Sequence, residues 1–177
     1  MKKIIYYVAT SIDGFIAGPD EDASDFTAAG EGVNQYLADL KDFQTVIMGR
    51  RTYEFGYKFG LEPGQPAYPH MQHYIFSKTL NFEDQSDQLT ICDYDLDIIK
   101  KLKQSSETDI YLCGGGIFAG WLLEHKMIDV LKIKLNPLIL GDGITMFGAS
   151  KNTGQLELRE SKMYNDGLTI NTYGVSY

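Results

Sequence analysis

The sequence predicts an α/β protein, a three-layer αβα sandwich whose mostly parallel mixed sheet ends in an antiparallel hairpin. Three observations carry this. Short apolar, β-rich runs alternate with amphipathic stretches before the tail. The tail is two long alternating runs, QLELRESKMY and LTINTYGVSY, joined by Asn-Asp-Gly, a strong hairpin signal. No Pro-, Gly- or Ser-rich linker divides the 177 residues, so a single domain over 1–177 is expected.

Taken in order, KIIYYVAT is a β-rich run and a central first strand. The segment SIDGFIAGPDEDASDFTAAGEG follows, long for a connector, and long ordered loops are usually functional. Its GPDEDASD stretch is acidic and reads as a solvated, mobile loop. Asp13-Gly14 reads as the turn after the first strand. Val33, Tyr36, Leu37 and Leu40 recur at i, i+3, i+4 and i+7, the apolar stripe of a helix. TVIMG is a short buried strand, and RRTYEFG opens a short helix. KFGLEPGQPAYPHMQ holds three of the five prolines and reads as a surface loop. HYIFS and LTICD are strands. YDLDIIKKLKQ is a helix with its cations toward the C-terminal end, as the helix dipole favours. DIYLC is a buried strand, and IFAGWLLEH a helix with Ile117, Phe118, Trp121 and Leu122 on one face. DVLKIKLNPLIL is a strand ended near Pro137, and GDG is a turn.

Apolar residues make up 44% of the chain and charged residues 23%, the balance of a soluble globular protein. The formal net charge of −8 argues against a nucleic-acid or anionic-membrane partner. No run has the length of a membrane span, and the opening MKKIIYYVATS breaks too early for a secretory signal. Cys92 and Cys113 lack metal or CxxC spacing and read as reduced thiols, which makes the cytoplasm the expected location. His70 and His73 lie in a proline-rich context without zinc-motif spacing, so no metal site is expected.

Three glycines, Gly114, Gly115 and Gly116, form the turn from DIYLC into the following helix. In a parallel sheet such turns stand at the carboxyl ends of strands, where ligands bind. One glycine satisfies a tight turn, and three in a row point to close backbone approach of an anion at the helix start. Two further strand ends carry donors and cations: Gly49, Arg50, Arg51 and Thr52, then Ser77 and Lys78. Together they are equipped for a ligand with two or three phosphates.

In order, MGRRTYE, FSK, YLCGGGIFAGWLLEHKMID and PLILGDGITMF resemble the cofactor-binding landmarks of the dihydrofolate reductase-like superfamily. ATSIDGFIA resembles the opening motif of the branch related to the reductase domain of bifunctional riboflavin-biosynthesis enzymes, which reduces 5-amino-6-(5-phosphoribosylamino)uracil with NADPH. The resemblance implies a dihydrofolate reductase-like fold and NADPH as cofactor. It places Ala9 and Ile16 against the nicotinamide. Gly49, Arg50, Arg51 and Thr52 are implied around the 2′-phosphate and pyrophosphate, and Ser77 and Lys78 near the 2′-phosphate. Gly114, Gly115, Gly116 and Ile117 are implied at the pyrophosphate.

Folate reductases keep a carboxylate on the first helix, and that position falls here near Val33. The nearest acids are Glu31 and Asp25, the candidate proton donors. The expected function is NADPH-dependent reduction of a small heterocyclic substrate. The alternatives are a dihydrofolate-type or other NADPH-dependent reductase, and a non-catalytic NADPH-binding module. The branch also implies a possible homodimer.

Overall fold

A computed structural model describes residues 1–177. The first strand, β1 (Ile4–Thr10), is followed by a short strand β2 (Phe15–Ala17), helix α1 (Glu31–Asp39), β3 (Thr45–Gly49), helix α2 (Arg50–Phe55), β4 (Gln72–Phe76) and β5 (Leu89–Cys92). Then come α3 (Leu96–Ser105), β6 (Ile110–Gly114), α4 (Gly116–Glu124), β7 (Val130–Leu135), a two-residue β8 (Ile144–Thr145), and the hairpin β9 (Gln155–Met163) and β10 (Thr169–Ser176). Eight strands form one sheet in the order β5-β4-β3-β6-β1-β7-β10-β9. The strands from β5 to β7 run parallel, while β10 is antiparallel to β7 and β9 to β10. The fold is thus an αβα sandwich with a mostly parallel sheet and the expected antiparallel C-terminal hairpin.

The pleat of β1 sorts its side chains into two cores. Ile4, Tyr6 and Val8 face α3 and α4, packing with Ile99, Leu102, Phe118 and Leu122. Tyr7 faces the opposite layer with Val33, Leu40, Met48 and Tyr53 of the α1–α2 side. Phe118 stacks on Phe76 at 4.5 Å between ring centroids, which seats α4 on the sheet. On the other face, Lys132 pairs with Asp39 at 2.6 Å, and the Tyr7 hydroxyl donates to the same carboxylate. This network ties the end of α1 to β1 and β7.

Two details depart from the periodicity. Leu37 is 53% exposed, because α1 is only nine residues long and buries mainly Gly32 and Val33 against the sheet. Ile117 is 65% exposed at the first turn of α4 and faces outward rather than into the core. The pair β2–β8 has no signal in the sequence beyond its shortness: three residues meet two. The turn before β2 is fixed by Asp13, whose carboxylate accepts from the amides of Gly141 at 2.7 Å and Leu140 at 3.2 Å. The Ser11 hydroxyl and these amides hold the Asp13 carboxyl at about 2. No helix is long and apolar enough to cross a membrane, and no group of three His, Cys, Asp or Glu side chains is assembled for a metal ion.

The turn into α4 explains its glycines one at a time. Gly114 has φ +132°, a conformation side chains rarely adopt. A Cβ on Gly115 would stand 2.8 Å from the Thr52 hydroxyl. A Cβ on Gly116 would overlap the Thr145 carbonyl oxygen. Gly114 and Gly116 therefore require glycine for the fold itself, and at Gly115 the Thr52 side chain would have to move, so the run strains the tight-turn reading less than the sequence alone implies. Replacement Gly116→Ala is expected to cost about 1–3 kcal/mol of stability, as overpacking against backbone does. Urea denaturation of the variant beside the wild type measures it.

His73 on β4 is fully buried. Its Nε2 accepts from the Tyr68 amide at 3.1 Å, so Nδ1 carries the proton and donates to the Met71 carbonyl. Burial lowers its pKa to about 4. Below pH 6.5 the unfolded chain binds a proton that the folded chain refuses, so stability falls as pH drops from 6.5 through 4. The loss from this residue is on the order of 3 kcal/mol at pH 4. NMR titration of the His73 ring, with urea midpoints across that range, checks both parts.

Candidate functional site

A cavity of about 470 Å³ opens where β1, β3 and β6 end, between α2, α4 and the segment after β1. Strand carboxyl ends meet there because the sheet is parallel at its centre, and each following segment turns away from the edge.

One side is a rim of glycines and cations. Gly49, Arg50, Arg51 and Thr52 line it from the β3–α2 turn, and Gly115, Gly116 and Ile117 from the β6–α4 turn. Ala9 and Ile16 line the wall between β1 and β2. Gly114 lies behind that surface, buried under the turn. Arg50 reaches Glu54 at 2.8 Å and donates to the Thr79 hydroxyl at 2.7 Å. Arg51 pairs with Glu21 at 2.7 Å. The acidic segment is therefore engaged with the rim: Glu21 holds Arg51, and Lys58 donates to the carbonyls of Asp20 and Glu21. This corrects the reading of that stretch as merely solvated.

Ser77 and Lys78 stand off the main cavity. Lys78 lines a separate depression with Tyr94 and Trp121, and Tyr94 borders both spaces. The Ser77 hydroxyl accepts from the amides of Thr79 and Leu80, so it caps the turn after β4. The glycine rim, two arginines and the adjoining lysine suit an extended polyanionic ligand such as a dinucleotide.

The inner end is built differently. Tyr36, Tyr68, Tyr111 and Cys113 line it. The Tyr36 and Tyr111 hydroxyls share a hydrogen bond of 2.7 Å, and the Tyr68 hydroxyl meets the Cys113 sulfur at 3.6 Å. Burial raises the pKa of all three phenols and of the thiol, so each keeps its proton at neutral pH. Tyr68 is steadied by stacking on His73, 5.9 Å between ring centroids.

The two expected proton donors are not brought to this space. Glu31 is exposed at the start of α1, where its carboxylate accepts from the Asn165 amide at 3.2 Å. Asp25 is exposed in the preceding loop and lines no part of the cavity. Val33 belongs to the core beneath α1. The acid that does line the cavity, Glu21, is at the rim and paired. Sequence reading missed Glu21 and the phenol–thiol cluster. Tyr36 carried a signal, being on the helix stripe, but the meeting of Tyr36, Tyr68, Tyr111 and Cys113 is long-range and leaves no local pattern.

Relatives of known sequence and structure share this architecture. The uncharacterized protein YwjB of Bacillus subtilis (strain 168) is 27% identical over 172 residues, 96% of each chain. A crystal structure from Shewanella sp. PV-4 superposes with a TM-score of 0.82 at 23% identity over the full length of both chains. The Enterococcus faecalis dihydrofolate reductase complexed with NADP(H) superposes with a TM-score of 0.69 at 15% identity, over 99% of this chain and 97% of that one. At such identities the structures speak for the fold alone. The family is shown by sequence: residues 2–170 match the model of the RibD C-terminal domain, and the chain belongs to that family.

Proposed function

We propose that the chain is an NADPH-dependent reductase of a small heterocyclic substrate, in the reaction class of 5-amino-6-(5-phosphoribosylamino)uracil reduction. The observation that carries the reading is the two-ended cavity, with glycines and cations at one end and protonated phenols at the other. Family membership and the fold shared with an NADP(H) complex support it. When bound, NADPH supplies a hydride. Gly49, Arg50, Arg51, Thr52, Gly115, Gly116 and Ile117 hold its phosphates, with Lys78 and the Ser77 turn toward the 2′-phosphate. Gly114 shapes the turn that presents them. Ala9 and Ile16 flank the nicotinamide. Arg51 exchanges its Glu21 partner for phosphate.

At the inner end the protein orients a planar substrate and donates hydrogen bonds to it. The phenol pair Tyr36–Tyr111 supplies protons there, a part that neither Asp25 nor Glu31 is placed to play without movement of the loop.

The same reading includes a homodimer. Every residue of β9 is exposed, so the sheet ends on an open edge strand that presents Leu156, Leu158 and Met163 at 51%, 57% and 79% exposure among charged neighbours. A second copy over β9 covers it. Sedimentation velocity is expected to give twice the chain mass, falling to one chain in a Leu156→Lys/Leu158→Lys variant. A wild-type monomer refutes the pairing.

Fluorescence titration tests the cofactor. NADPH is expected to bind at least about tenfold more tightly than NADH, a difference of about 1.4 kcal/mol. The Arg51→Ala/Lys78→Ala variant is expected to lose that preference while NADH affinity changes little. Binding of neither nucleotide to the wild type would remove the reductase reading.

A further inference from the structure

A third stretch of the cavity wall is neither the glycine rim nor the phenol cluster. Tyr68, whose hydroxyl meets Cys113 at the inner end, leads outward to Ala67. Phe55 at the end of α2, Gly56 and Phe59 in the turn that follows, and Ala23 in the segment after β2 line the same space. The Phe55 and Phe59 rings meet edge to face, 5.2 Å between centroids. Phe59 is 74% exposed, so the wall holds a large apolar ring out to water. An aromatic pair of this kind on a cavity wall is suited to the apolar surface of a ligand.

Charged side chains line the cavity at three positions, Glu21, Arg50 and Arg51, and all three stand at the rim. In the proposed reading both arginines are taken by the cofactor's phosphates. The cation beside the phenylalanine pair is Lys58, and it lines no part of the cavity. Its Nζ donates to the Asp20 and Glu21 carbonyls at 3.3 and 3.5 Å and lies 5.3 Å from the Phe55 ring centroid. The segment it holds carries three consecutive acids, Asp20, Glu21 and Asp22. A phosphate at this end would meet aromatic rings, nearby carboxylates and one ammonium already engaged. A dianion without a paired cation is costly to bring out of water, and neighbouring acids repel it further.

We infer that the substrate ring carries an apolar substituent and no phosphate, the substituent lying against Phe55 and Phe59. The chain thereby parts from the phosphoribosyl substrate of its reaction class while keeping the ring end of the site, and Phe59 is the specificity-determining residue. The inference rests on reading the inner end of the cavity as the pocket of the substrate ring.

Isothermal titration of the protein loaded with NADP+, which brings no hydride, tests it. The ligands are 6-aminouracil, 6-benzylaminouracil and 5-amino-6-(5-phosphoribosylamino)uracil. The benzyl compound is expected to bind at least about tenfold more tightly than either of the others. Phe59→Ser loses most of that advantage and Phe59→Leu keeps most of it, with the affinities for 6-aminouracil and NADP+ unchanged in both. Because Phe59 is exposed, both variants are expected to melt with the wild type. Equal binding of the benzyl and parent compounds, an unchanged preference in Phe59→Ser, or no binding of the benzyl compound overturns the inference. So does tighter binding of the phosphoribosyl compound, and its loss in Lys58→Ala then assigns the phosphate to Lys58. Absence of the benzyl preference with NADP+ still bound leaves the reductase reading standing. Absence of nucleotide binding removes that reading, and a benzyl preference in the nucleotide-free protein then keeps the apolar subsite.

Discussion

The rest of the site depends on how closely α4 approaches the backbone of residues 145–148. Gly116 lies against the Thr145 carbonyl and the Gly148 amide, and Gly120 against the Phe147 carbonyl. Any side chain at either position would push that strand of backbone away. From the other side, the Tyr6 hydroxyl donates to the Met146 carbonyl at 3.0 Å, so β1 holds the same segment. Thus fixed, Ile144 and Thr145 pair with β2, and Ile16, Ala17 and Ile144 form one wall of the cavity. Glycines in a helix interior lower its intrinsic stability by up to about 1 kcal/mol each. Here the close contact they permit offsets that, because it positions a wall that three short strand residues could not hold alone.

The charge layout follows a related logic. The chain carries a net charge of −8, and a polyanion would be repelled at long range. The rim cations are local exceptions, each held by nearby acceptors: Arg50 by Glu54 and Thr79, Arg51 by Glu21. Exposed pairs of this kind are worth about 0.2–1 kcal/mol. They are strong enough to keep the guanidinium groups at the cavity mouth and weak enough to be exchanged for phosphate oxygens, which match the guanidinium fork at least as well.

Much of the fold was legible because it is written locally. The alternation of apolar runs with amphipathic stretches located every long strand and helix, and Asn165-Asp166-Gly167 located the hairpin. What was not legible depends on contacts between distant segments. Strand β2 exists only because β8 meets it across more than a hundred residues. The GGG run illustrates the limit well: its position at a strand–helix turn was readable, but the Thr145 carbonyl that leaves no room for a side chain at Gly116, and the Thr52 hydroxyl crowding Gly115, were not. At the site, the rim was readable as strand ends with glycine and arginine. The inner end was not, since Tyr36, Tyr68 and the pair Tyr111 and Cys113 come from three separate segments: α1, the loop before β4, and β6. The search for a carboxylate near Val33 looked where the chain buries an apolar side chain in the core.

The absence of an unpaired carboxylate from the inner end shapes the chemistry open to the cavity. A carboxylate on the first helix would hold a ring through its N–H groups and relay a proton to a ring nitrogen. Here the groups around the inner end are protonated phenols and a thiol. All of them can donate, and burial holds the phenols and the thiol well above neutral pH in their protonated forms. In the proposed reduction, such an environment would stabilise negative charge that builds on a substrate oxygen or nitrogen as a hydride arrives, without a prior proton transfer. In that reading, the shared hydrogen bond between Tyr36 and Tyr111 would let one phenol give its proton while the other stabilises the resulting charge. A substrate that brings acceptors is therefore met by donors already in place, and one that brings donors finds no free acceptor of full charge.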